Sequence, residues 1–193
     1  MGAFLSGIGN VCVQWALLEG TLLHIIGCIE DMPIEKAYMV FAGLDMGQRM
    51  SMALRLARHA KLPHNRFIKP LMDVQSALQG RSGLGDKRNM YVHGAHEPGL
   101  QEGEFVLTMS RWKGDRRRTI VTLLDVAEVG YQLALQAQKA EAVFRDYGVW
   151  KFGPEYEHET DKKIAVTKTL IRQIRAYNRK RAIKLFLANL KPV

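Results

Sequence analysis

The chain of 193 residues carries only two cysteines, Cys12 and Cys28, and no C-x-x-C. Lying sixteen positions apart in one apolar stretch, they supply neither a disulfide framework nor a zinc site. They read as apolar side chains in a reducing compartment. Internal repeats and low-complexity tracts are absent, so the chain is not an array. No basic leader precedes the apolar run over residues 4–29, which makes it a poor signal peptide. Asn10, Gln14, Glu19 and His24 interrupt that run, and each would need a partner in hydrocarbon, so it is also a poor membrane span. The opening MGAFLS fits the loose pattern M-G-x-x-x-S for myristoylation, but no basic patch adjoins it. The chain is therefore read as cytoplasmic, without membrane binding.

Acidic residues are scarce at one end. Residues 161–193 hold ten Lys/Arg against the single acid Asp161, whereas residues 1–160 hold 18 bases and 18 acids. The whole net charge of +9 thus sits in the last 33 residues, which reads as a neutral body with a basic arm.

What is present is mostly helical in pattern. Apolar residues on most faces predict a buried helix over about 3–30, and the stretch 33–61 continues in helical register. A third helix is expected over about 65–79. GRSGLG at 80–85 then interrupts, and Asp86 can cap a short helix ending at Gly94, unless 65–94 is one distorted helix. EFVLTMSRW and RTIVTL predict two strands of a β-hairpin around KGDRR. TLLD opens a further helix, over about 122–146, as a capping box, and Gly148 would close it. The expected fold is mainly all-α: a bundle of four to five helices over 1–150 with a small hairpin insert at about 104–123. A linker over 151–160 and a basic helical extension over 161–193 follow.

The stretch DKRNMYVHG, residues 86–94, holds the chemistry. Metal-free cleavage of RNA needs a base for the ribose 2′-OH, an acid for the leaving 5′-oxygen and a cation for the phosphorane. Histidine titrates near neutrality, and the planar fork of arginine grips two phosphate oxygens. Asn89 and His93 are four apart and share a helix face. Arg88 is five from His93, about 140° away on an ideal helix, so one helix supplies an awkward site and two facing copies would complete it. The negative pole of a helix C-terminus at His93 suits an acid. An arginine and a histidine in a last turn are also ordinary helix-end choices.

RNMYVHG resembles the R-x4–6-H signature of the HEPN superfamily of helical domains. The polar residue after arginine, the apolar MYV and the terminal histidine all match, as do the long helices before and after, over about residues 3–147. The resemblance implies Arg88 and His93 as a catalytic pair with Asn89 as polar auxiliary. It implies RNA as substrate, a composite site in a homodimer, and a role as toxin or phage-defence effector. Inactive members instead bind RNA, nucleotides or a partner, so an antitoxin or nucleotidyltransferase partner is a further expectation. The glycine-rich break before the motif is unlike a smooth family helix.

Other motifs carry less. GRSGLGDKR lacks the G-K-[ST] ending of a phosphate loop, and His93, His96 and Glu97 have no metal-binding spacing, so no metal or cofactor is expected. Lys168, Arg172, Arg175 and Arg179 step by four, three and four, a basic stripe able to meet phosphates or simply to face solvent. Arg116, Arg117 and Arg118 cluster with Arg111, Lys113 and Trp112 at the hairpin tip, a weaker RNA-binding signal.

Overall fold

A computed structural model describes residues 2–41, 43–80, 83–99, 101, 103–110 and 116–154. The basic stripe at 168–179, most of the expected linker, and the hairpin tip at 111–115 lie outside the described residues. The chain divides into two compact units, Met1–Tyr147 and Gly148–Val193. The described part is mainly helical, with six α-helices and a small three-stranded antiparallel sheet.

Helix α1, Gly2–Ile29, buries Phe4, Val11, Trp15, Leu18, Leu22 and Ile25, a stripe at steps of seven, four, three, four and three. This face packs on α2 (Ile34–Phe41), α3 (Met46–His59) and α5 (Leu84–His93). By length and composition α1 is apolar enough to cross a membrane, and here its buried stripe belongs to the core.

The continuous helix expected over 33–61 is instead two helices. Asp45 starts α3 with a reciprocal cap: its carboxylate accepts from the Gln48 backbone N–H at 2.8 Å, and Gln48 Oε1 accepts from the Asp45 N–H at 2.9 Å. A cap of this kind contributes about 1 kcal/mol, enough to fix a helix start where periodicity alone runs on. The third helix, expected from 65, opens as a wide π turn, His64–Ile68, before α4, Lys69–Leu78. Pro70 has no N–H to give the preceding turn, and the wider turn accommodates it.

Residues 65–94 form separate helices. Gly80, at φ +93, turns the chain out of α4, and α5 begins after Gly83 rather than at a cap by Asp86. Asp86 lies in the first turn of α5, where its carboxylate pairs with Arg117. Gly94 ends the helix, but in extended conformation with φ −73. Glycine is needed there because a Cβ would stand 2.5 Å from the Met90 carbonyl oxygen.

The expected hairpin is present as β2 (Glu104–Ser110) and β3 (Arg116–Thr122), with Val106 opposite Ile120. A third strand, β1 (Ala95–Pro98), pairs antiparallel with β2. Its Ala-His-Glu-Pro sequence has little strand propensity, and it exists only because β2 supplies an edge. Phe105 of β2 stacks on Phe4 of α1 at 3.8 Å between ring centroids.

Helix α6, Leu123–Phe152, opens on the expected cap: Asp125 Oδ2 accepts from both the N–H and the hydroxyl of Thr122 at 2.7 Å. Those hydrogen bonds hold the Asp125 carboxyl below the usual carboxylate range. The helix runs through Gly148 and stops at Gly153, whose φ of +92 is a left-handed conformation suited to glycine.

Helices α1 and α6 lie side by side and parallel. A Cβ on Gly7 would stand 3.1 Å from Val126, one on Gly130 would meet Asn10 at 2.6 Å, and the Tyr147 hydroxyl donates to the Cys28 carbonyl at 3.4 Å. His24 lies in the same seam, edge-on to Phe144 at 5.5 Å and to Tyr38 at 6.5 Å between centroids.

Burial holds the His24 imidazole below its ordinary value of 6.5. The unfolded chain therefore takes up this proton at higher pH than the folded one. Its contribution to stability is fully present above pH 6.5 and is lost as pH falls through the window below it. Denaturation midpoints should accordingly fall between pH 7 and pH 5, and His24→Phe should flatten that slope.

Candidate active site

The last two turns of α5 bring Arg88, Asn89 and His93 together. Arg88 Nη1 donates to Asn89 Oδ1 at 3.0 Å and to His93 Nε2 at 3.1 Å. The awkward five-residue spacing is thus closed within one chain. The long guanidinium arm spans the angle that the helix imposes, and a second copy is not needed to join these two residues. Guanidinium offers no acceptor, so Nε2 of His93 must be the accepting nitrogen and the ring proton sits on Nδ1. An unprotonated Nε2 is fitted to a base; the acid role expected from the helix end needs a copy in which Nε2 carries a proton and has left Arg88.

The first helix decides where Arg88 points. Its guanidinium carbon lies over the Trp15 ring, 5.2 Å from the centroid, a cation–π contact of about 0.5–2 kcal/mol. Trp15 Nε1 donates to Glu19 Oε1 at 2.9 Å, and Glu19 Oε2 faces Arg49 Nη1 at 3.6 Å. Arg49 is buried, with only 9 % of its surface exposed, while Glu19 is partly exposed, so the pair is shielded from solvent on the arginine side alone. Arg88 Nε is itself buried without an acceptor among the described residues. Such an orphan donor costs about 1–3 kcal/mol.

Sequence reasoning missed Trp15, Glu19 and Arg49. The available signal was Glu19, the lone charge in α1, placed four residues after a tryptophan.

A cavity of about 390 Å³ is lined by Arg88 and Asn89 together with Trp15, Glu19, Met50 and Gln75. His93 and Asn89 are exposed. Among the described residues, no three His, Cys, Asp or Glu side chains cluster so as to hold a metal ion.

Other candidates are committed elsewhere. His96 Nε2 lies 2.9 Å from the Tyr91 carbonyl, to which it donates, and its ring is edge-on to Phe4. Tyr91 is buried, and burial followed by the Asp125 carboxylate pushes its hydroxyl up to about 12, so it stays neutral. Arg117 pairs with Asp86, and Arg118 approaches Glu97 at 3.6 Å on an exposed surface. Two of the three hairpin arginines expected to bind RNA therefore already face carboxylates, and the second pair is weak because solvent screens it. Arg116 lies in β3 opposite Ser110.

Comparison with protein-family models, curated proteins and solved structures gives no match to this chain.

The hydrogen bond from Arg88 predicts a specific tautomer. In neutral solution, nitrogen-15 spectra of His93 should show an unprotonated Nε2 and a protonated Nδ1, and Arg88→Ala should abolish that preference while His96 is unchanged.

Proposed function

We propose that this chain is a metal-independent endoribonuclease of the HEPN type, acting as a homodimer. The observation that carries the reading is the contact between Arg88 Nη1 and His93 Nε2, at 3.1 Å, on an exposed helix end beside a cavity. A phosphodiester entering this site draws the guanidinium onto its non-bridging oxygens and frees Nε2. That nitrogen then takes the proton of the ribose 2′-OH. The 2′-oxygen forms a bond to the adjacent phosphorus, the bond from phosphorus to the 5′-oxygen breaks, and a 2′,3′-cyclic phosphate results. Arg88 neutralises the charge that accumulates on the phosphorane.

The leaving 5′-oxygen needs a proton from an acid. His96 donates to a backbone carbonyl and Tyr91 is buried, so neither neighbour is suited to that role. His93 of a second copy supplies it, which is the reason for a two-fold composite site. A toxin or phage-defence role follows from this reading and from the family resemblance alone.

Purified protein incubated with RNA in excess EDTA should cleave it. His93→Ala and Arg88→Ala should each slow cleavage by roughly 10²–10⁴-fold with the helical content retained. The rate per chain should also drop on dilution below the dimer dissociation constant. Cleavage unchanged by His93→Ala would remove the mechanism, and RNA binding without cleavage would point to a non-catalytic binding module.

A further inference from the structure

We infer that the cavity beside Arg88 reads a base: it takes the adenine ring of a nucleotide whose phosphate lies on Arg88. The inference rests on the site proposed above and adds a substrate preference to it.

The volume of about 390 Å³ lies within the range of small-molecule sites, roughly 300–1,000 Å³. Trp15, Met46, Met50 and Leu78 provide an apolar lining for a flat ring. Two carboxylates also line the cavity, and both are in use: Glu19 by the Trp15 N–H and by Arg49, Asp45 by the start of α3. Their charge keeps a phosphate out of the cavity and leaves it to Arg88 and His93.

What remains open for a ligand is neutral amide. Gln75 of α4 and Gln79, the extended residue that ends that helix, both line the cavity, and Asn89 joins them from α5 with its Oδ1 shared with Arg88. Each amide pairs a donor with an acceptor, the pattern that matches the amino group and ring nitrogen of adenine. Two carboxylates nearby also disfavour the two carbonyl oxygens of uracil, whereas adenine has an exocyclic amine and no carbonyl. An adenine on the 3′-phosphate side of the ribose thus places its sugar at His93 and its phosphate at Arg88.

The test is calorimetric titration of the full chain with adenosine 3′-monophosphate, uridine 3′-monophosphate and inorganic phosphate, alongside RNA cleavage in EDTA. Adenosine 3′-monophosphate should bind at least roughly tenfold tighter than either of the others, the scale of one good amide–base pairing. Gln79→Leu, at an exposed position, should erase most of that advantage, and Gln75→Leu with Gln79→Leu should leave only phosphate-level binding. Equal binding of the three ligands, no binding of any, or an adenine preference untouched by both substitutions would overturn the pocket. The two ideas fail separately. Cleavage without adenine preference sinks the pocket alone, and glutamine-dependent adenine binding without cleavage sinks the ribonuclease alone.

Discussion

The parallel pairing of α1 with α6 is the constraint on which the rest of the fold depends. Gly7 meets Val126, Asn10 meets Gly130, and Cys28 meets Tyr147, so the two helices keep nearly one register from the first contact to the last. Two neighbouring helices that run the same way cannot be joined by a tight turn. Everything between them must return the chain to the end where α1 began. Helices α2 to α5 and the sheet make that return, and the Phe4–Phe105 stack fastens β2 to the opening turn of α1. The close approach asks for small residues at the seam, which is why glycines stand at 7 and 130 inside helices that would otherwise avoid them.

This return path places the candidate site. Helix α5 is held at its first turn by Asp86 to Arg117 of β3, and at its end by Gly94, which passes too near the Met90 carbonyl to admit a side chain. Between these points Arg88 lies on Trp15. The site is thus a helix end laid across the central helix, with its arginine oriented by tertiary contact and its histidine left exposed. Chemistry that requires a cation and a base in fixed relation gains from such support, because neither group must be ordered at the moment of reaction.

The cost of the arrangement is visible in the same residues. Arg88 buries Nε–H without an acceptor among the described residues while Nη1 serves two, and the half-buried Glu19–Arg49 pair lies nearby. A core built for stability alone would replace such groups with apolar ones of similar volume. Their place next to an exposed histidine supports the ligand-holding site proposed above.

Local signals in the chain determined much of this. The long apolar first helix, the β2–β3 hairpin and the Thr122–Asp125 start of α6 follow from periodicity, strand propensity and capping, which act over a few residues. Arg88, Asn89 and His93 were legible as a motif because they are neighbours in the chain. Other features depended on distant segments. The split at Asp45 turned on a cap competing with a helical register that runs through it, and β1 formed from poor strand residues because β2 offered an edge. Whether Arg88 reaches His93 was a matter of side-chain direction, and Trp15, some seventy positions earlier, settles it. Spacing along a helix gives the angle between two residues. The packing of a third residue decides whether a flexible arm spans that angle, so the sequence named the pair and the tertiary structure joined it.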